Sequence, residues 1–319
     1  MSDGERALRL VSLTGPTASG KTAVAIQVAR AIGAEIVSAD SRQVYRRLDI
    51  GTAKPTPDEL ASAPHHLVDV ADPTEMYTAA RFGVEARAAF DQIRARGKRP
   101  MLVGGSGLYV RAAEEGLFEG PARDDAIRAR LEAQADAEGN EALHARLAEV
   151  DAPSAARLHV ADRVRLIRAL EVWELTGVPL TEHHERQQRV AASGEPPLRF
   201  ALSWSPLLLA KHIERRVDRM LADGWVDEVR ALLDDGIAED APAWNALGYP
   251  EIVATVRGTI GLEEAREKIV VATRRFAKRQ RTWFRAAVGV EWIDVNGPGD
   301  LAGAAERIVR RVGERQSPP

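Results

Sequence analysis

The 319-residue chain is predicted to be an α/β protein: a phosphate-loop NTPase-like parallel sheet flanked by helices, with an inserted α-helical lobe. Three observations carry this. The segment GPTASGKT at Gly15–Thr22 follows a β-like run at residues 9–14 and opens a helix, the context a phosphate loop requires. Strand-like and helix-like segments then alternate to about residue 105, which implies a parallel sheet covered on both faces. From Pro121 to about Gln188 the chain is rich in Ala, Arg and Glu at helical spacing, and no strand-like run interrupts it.

Each element has its own signal. Val24, Val28 and Ile32 give one apolar face to a helix over residues 23–32, and Gly33 ends it. Residues 34–38 form the second strand, and residues 67–70 a short further one. Phe82, Ala86, Ala89, Phe90 and Ile93 stripe a helix over 78–96, ended by Gly97. Residues 100–103 are another buried strand, running into GGSGLY at 104–109. In the lobe Ile127/Leu131, Leu143/Leu147/Val150 and Leu166/Leu170/Trp173 repeat at helical spacing. A strand at 199–204 follows, then helices at 206–222, 226–233 and about 262–287. The expected division is a core of residues 1–115 and 198–319, with the lobe at 116–197.

Composition removes several classes of function. There is no Cys, hence no disulfide framework, thiolate nucleophile or cysteine metal site. The seven His include the pairs His65–His66 and His183–His184, but no H-E-x-x-H spacing argues for zinc. No run approaches ~18 apolar residues and the first ten residues lack a signal-peptide pattern, so no membrane span and a cytoplasmic location are expected. A net charge of −3 argues against nucleic acid, but the charge is unevenly spread. Between Lys268 and Arg285 lie seven basic residues and no acidic one, and a local field decides whether a phosphate backbone can dock.

In the phosphate loop, glycines let backbone N–H groups turn toward phosphate oxygens, and the following helix adds its positive end. Lys21 supplies a point charge, and the Thr22 hydroxyl suits Mg²⁺. A nucleoside triphosphatase also carries an acid at the end of a second buried strand. Here the strand at 100–103 ends in Gly104-Gly105-Ser106, leaving only Asp69 as a substitute. That favours a small transferase, since a Gly-Gly-Ser turn offers donors to a diphosphate. Asp40, closing the second strand, reads as a general base, or as a cap or a ligand to a Mg²⁺ water. Lys54 reads equally as a second phosphate contact or a solvated loop lysine. Arg274, Lys278, Arg281 and Arg285 line one helix face, suited to an RNA backbone or to solvent. Trp283 and Phe284 stack on bases or fill the core. Arg163, Arg165 and Arg168 are a matching basic group in the lobe.

Taken together, GPTASGKT, DSRQVYRRLDIGTAKP, APHHLVD at 63–69, LVGGSGLY, RALEV and AKRQRTWFR at 277–285 resemble the bacterial tRNA dimethylallyltransferase, or isopentenyltransferase, family. The motifs stand in the family's order over roughly residues 11–292. The resemblance implies transfer of a dimethylallyl group from dimethylallyl diphosphate to N6 of adenosine 37, next to the anticodon, in tRNAs reading codons that begin with U. It implies Mg²⁺ on Thr22, an anticodon stem-loop as partner, and no need for more than a monomer. Gly15, Pro16, Thr17, Ala18, Ser19, Gly20, Lys21 and Thr22 would cradle the diphosphate, with Lys21 and Arg216 stabilising it as it leaves. Asp40 would be the base and Ser106, where many members have Thr, would lie near the reacting nitrogen. Ser41, Arg42 and Gln43 would lie against the adenosine, flipped from the loop. Arg128, Val164, Arg165, Leu166, Ile167, Arg168, Gly248, Tyr249, Arg274, Arg275, Lys278 and Arg279 would meet RNA, within the stretches 164–168, 245–250 and 273–282. Two positions depart from the family: Pro250 stands where Arg or Lys is usual, and His212 replaces a usual Arg. A metabolite kinase using Asp40 on a hydroxyl, and an RNA-binding protein without catalysis, are the competing readings.

Overall fold

The computed structural model describes residues 8–117, 120–121, 123–191 and 195–315. The chain divides into two compact units, Met1–Glu114 with Glu195–Pro319, and Glu115–Gly194. The first holds a sheet of β1 (Val11–Thr14), β2 (Ala34–Ala39), β3 (His65–His66), β4 (Arg99–Gly104), β5 (Leu198–Trp204) and β6 (Val290–Val295). Its order is β3-β2-β4-β1-β5-β6 and every pairing is parallel.

In chain order the helices begin with α1 (Lys21–Ile32), α2 (Pro57–Ser62), α3 (Ala79–Ala95) and α4 (Gly107–Glu115). The second unit follows, with α5 (Asp125–Glu138), α6 (Asn140–Val150), α7 (Ala152–Arg157), α8 (Arg163–Thr176) and α9 (Leu180–Ala191). Back in the first unit are α10 (Pro206–Ala222), α11 (Trp225–Asp234), α12 (Tyr249–Val256), α13 (Leu262–Arg285) and α14 (Leu301–Glu314).

Period-two alternation divides the sheet's side chains between two cores. Ile36, Met101 and Val103 join Val11 and Leu13 beneath Val24 and Val28 of α1 and Ile308 of α14. The intervening Val37, Ala39 and Leu102 join Phe82, Phe90 and Ile93 of α3. Register matters most for function. Thr14 and Ala39 both pair with Gly104, so β1, β2 and β4 end level with one another. The residues that follow them, Gly15, Asp40 and Gly105, therefore leave the sheet side by side at its carboxyl edge, where ligands bind in such folds.

Several expectations need correction. The strand expected at 67–70 is confined to His65–His66. Leu67 and Asp69 take φ of 62° and 56°, and the Asp69 and Val70 amides donate to Gln43 O and Val44 O at 3.1 and 2.9 Å, tying the segment to a loop. Sequence spacing also missed β6, α4, α12 and α14. In the second unit Leu131, Leu143, Leu147, Leu166, Ile167 and Leu170 form a separate core. Asp124 and Asp151 cap α5 and α7, accepting the Ile127 and Ser154 amides at 2.9 and 3.1 Å.

Candidate active site

The phosphate loop is held from outside by its neighbours. Ala18 sits at φ 60°, a left-handed conformation unusual for a residue with a Cβ, and Gly20 follows at φ 77°. The Trp204 indole Nε1–H donates to Ser19 O at 3.1 Å, and the Thr17 amide donates to Gln280 Oε1 at 2.7 Å. Lys21 Nζ turns back to Pro16 O at 2.8 Å. Burial pushes the Lys21 ammonium down to about 8, with Arg216 adding to the effect and the Asp40 carboxylate opposing it. Arg216 on α10 is likewise lowered by burial and supported by Asp40. Two cations and one carboxylate thus share one electrostatic site.

Asp40 Oδ1 accepts the Arg42 amide at 2.9 Å, which fixes the carboxylate's plane at the end of β2. Ser106 Oγ accepts the Ser41 amide at 3.0 Å and donates to Ser41 Oγ at 3.2 Å, while its own amide donates to Ala39 O at 3.3 Å. The ends of β2 and β4 are thereby stitched together. Lys21, Thr22, Asp40, Ser41, Arg42, Gln43, Ser106 and Arg216 all line one cavity of about 370 Å³. Apolar side chains of Val217, Met220, Trp225, Leu247, Ile269 and Phe276 line the same cavity, beside the polar Asn245, Thr273 and Arg279.

Some side chains expected to meet ligand have other work. Gln43 donates to Thr52 O and Ala53 O at 3.3 and 3.0 Å and accepts the Ser38 hydroxyl at 3.1 Å, bracing the loop at 52–53. Lys54 is not a solvated loop lysine: its buried ammonium pairs with Asp49 at 2.6 Å and with Asp69. Asp69 is thereby paired with Lys54. Leu166, Ile167 and Tyr249, grouped with the RNA-facing residues, have side chains inside their cores. Arg128 grips Glu171 through two bonds of 2.8 and 2.9 Å, and Arg168 reaches the same carboxylate at 2.7 Å. Those two guanidinium groups therefore organise the lobe. Val164 is exposed, and Arg165, also exposed, pairs with Asp162 at 2.9 Å.

On α13, Ala265, Ile269, Thr273, Ala277, Gln280 and Phe284 form the buried stripe. Arg274, Arg275, Lys278 and Arg279 fall on the exposed side. Arg274 pairs with Glu214, and Arg279 lies 5.6 Å over the Phe276 ring at the cavity rim. Phe284 is core, whereas Trp283 is 41% exposed. At Gly248, φ is 92° and an added Cβ would fall 2.2 Å from the Trp225 ring.

The run 273–282, expected to face RNA, includes Gln280, which is instead buried and bonded to Thr17 and Gly105; Glu228 was missed altogether. Glu228 of α11 accepts the amides of Asp49, Ile50 and Gly51 at 2.7, 2.6 and 3.3 Å and the Tyr249 hydroxyl at 2.7 Å. It clamps the loop whose next residues line the cavity. No local pattern marks such a residue, because its loop partners lie some 180 positions away. The described residues contain no group of three or more His, Asp or Glu placed to hold a metal. A divalent ion here would rest on the Thr22 hydroxyl and on substrate oxygens, and a hydroxyl on this loop suits that mode.

Comparison with known proteins decides the family. The model described as IPP transferase matches residues 43–287, and that described as isopentenyl transferase matches residues 8–70. The chain belongs to the IPP transferase family. A tRNA dimethylallyltransferase of Geobacter sulfurreducens is 49% identical over 90% of this chain and 92% of its own length. One from Kocuria rhizophila is 46% identical over 95% of each. Among solved structures, the tRNA isopentenylpyrophosphate transferase of Bacillus halodurans is 38% identical, with a TM-score of 0.69 over 97% of this chain and 98% of that one. A eukaryotic dimethylallyltransferase shares the fold, with a TM-score of 0.77 at 24% identity over 96% of this chain and 79% of that one. The protein is therefore a transferase. No helix among the described residues is long and apolar enough to cross a membrane.

Proposed function

We propose that this IPP transferase family member moves the dimethylallyl group of dimethylallyl diphosphate to N6 of adenosine 37 in tRNAs that read codons beginning with U. One observation carries the reading: a phosphate loop, a carboxylate and a fixed hydroxyl line one cavity together with six apolar side chains. A kinase needs the loop and the carboxylate, but the apolar side chains in the lining suit a five-carbon chain better than a hydrophilic acceptor.

In the reaction N6 attacks the allylic carbon, the bond from that carbon to the diphosphate oxygen breaks, and the N6 proton passes to Asp40. With Oδ1 held by the Arg42 amide, Oδ2 is the oxygen offered to the proton. Lys21 and Arg216 meet the charge growing on the leaving diphosphate, where burial strengthens their effect. Ser106, anchored on Ser41 and lining the cavity, would offer its hydroxyl to the base edge. Mg²⁺ bound at Thr22 would neutralise part of the diphosphate charge. Lys278, Arg275 and Arg279 would meet phosphates of the anticodon stem-loop.

The test is mass spectrometry of nucleosides from unmodified tRNA incubated with protein, Mg²⁺ and dimethylallyl diphosphate. Adenosine heavier by one isoprenyl unit, lost in Asp40→Asn, supports the proposal. No such product, with ATP consumed on a small hydroxyl compound, overturns it.

A further inference from the structure

Gln280 lies on the buried stripe of α13, opposite the basic face, and is only 6% exposed. Its carboxamide makes two long-range bonds at once. Oε1 accepts the Thr17 amide at 2.7 Å, and Nε2 donates to Gly105 O at 2.9 Å. The orientation is unambiguous, since a backbone N–H can only donate and a carbonyl can only accept. One side chain therefore spans from the phosphate loop to the turn after β4.

Two further facts show that the surroundings are shaped for this bridge. A Cβ on Gly105 would fall 2.3 Å from Gln280 Nε2, so only glycine lets the amide in. The residue after Thr17 is Ala18 at φ 60°, a conformation that persists only where neighbours enforce it. The Thr17 bond to Gln280 and the Trp204 bond to Ser19 O flank that residue on both sides. With its Thr17 amide turned to α13, the loop is left with its later amides and the first turn of α1 for an anion.

We infer that Gln280 is a positioning residue: its carboxamide holds the phosphate loop in the conformation that accepts diphosphate, and it acts through the loop rather than on the reacting atoms. This rests on the prenyl transfer proposed above. It separates Gln280 from its neighbour Lys278, whose side chain is exposed.

The experiment titrates inorganic diphosphate with Mg²⁺ into the full-length protein by calorimetry, which reads the loop without turnover. It is paired with an RNA stem-loop titration and with KM for dimethylallyl diphosphate. Gln280→Met removes both bonds with little change in volume, and diphosphate affinity should fall about tenfold, as expected for two neutral hydrogen bonds. Gln280→Glu keeps an acceptor for Thr17 but loses the donor and adds a negative charge, so it should bind diphosphate more weakly still. RNA affinity should stay within about twofold in each, because the basic face is untouched. Gly105→Ala, which pushes the amide out from the other side, should reproduce Gln280→Met. The double variant should be no worse than either single change.

Additive losses in the double variant, or weakened RNA binding with diphosphate affinity intact, would overturn the inference. Were Gln280→Met to fold poorly, Gly105→Ala and Gln280→Glu supply the same comparison. Failure of the wild-type protein to prenylate tRNA would sink the proposed function instead, and the diphosphate titration would still report on Gln280.

Discussion

At the scale of single residues, the site sorts its groups by what each can lose. Asp40→Asn keeps an oxygen for the Arg42 amide, so the turn after β2 should survive, but the group is no longer basic. Turnover should fall by about 10²–10⁴-fold, as for loss of a general base, with substrate affinities little changed. Single-turnover kinetics checks this. Lys21 gives a pH dependence of defined sign. Its pKa in the free protein is pushed down to about 8, mainly by burial. The protonated form binds the anion, so affinity for dimethylallyl diphosphate should be nearly constant below about pH 7.5 and weaken by up to about tenfold per unit above pH 8. Calorimetry across pH 7–9.5 reads it. Lys21→Arg, charged throughout that range, should flatten the profile even if it binds less tightly.

At the scale of elements, α13 shows how much chemistry one helix can carry on different faces. If its exposed cations meet RNA phosphates, Lys278→Ala should lower the slope of log affinity against log salt by about 0.7–0.9. Arg274→Ala should change it less, because Arg274 already pairs with Glu214. Fluorescence anisotropy with a labelled stem-loop at several salt concentrations measures both. Glu228 of α11 makes a second case. Glu228→Ala strands three loop amides and the Tyr249 hydroxyl, and should cost about 1–3 kcal/mol in a denaturant titration while raising KM for tRNA.

Elements with strong local signals were legible from the sequence: the phosphate loop, α1 with its apolar face and Gly33, and α3 with its five-residue stripe. The edge strand β6 was not, because Val290–Val295 mixes Glu and Asp with apolar residues and lies at the border of the sheet. The site was legible where chemistry is carried in motifs, as at Lys21, Asp40 and Ser106. It was illegible where a residue acts through distant backbone, as Gln280 does on Thr17 across 263 positions. Basic residues in the lobe have a second role that the sequence does not show: only packing reveals that Glu171 holds Arg128 and Arg168.

At the scale of the whole molecule, two units with separate cores need not lose structure together. Glu171 gives the second unit its own acid response. Its side chain is fully buried, and although that burial favours the neutral acid, bonds from Arg128, Arg168 and the Asp124 amide outweigh it and hold the carboxyl down to about 2. A folded-state value below the ordinary 4.5 means the stabilisation is complete above about pH 4.5 and is lost as pH falls toward 2. The gap corresponds to about 3 kcal/mol, similar to the cost of breaking a buried ion pair. Of the six tryptophans only Trp173 belongs to the second unit, so its fluorescence can be isolated by comparison with Trp173→Phe. Glu171→Gln should lower the Trp173 unfolding midpoint at pH 7 and reduce its dependence on pH between 4.5 and 2, the remainder coming from Asp151, whose carboxyl is also held down by the Thr181 and Ser154 bonds. The signal from the remaining tryptophans should keep its wild-type acid profile. A matching shift in both signals would mean that the two cores unfold as one cooperative body, with Glu171 stabilising the whole chain rather than the lobe alone.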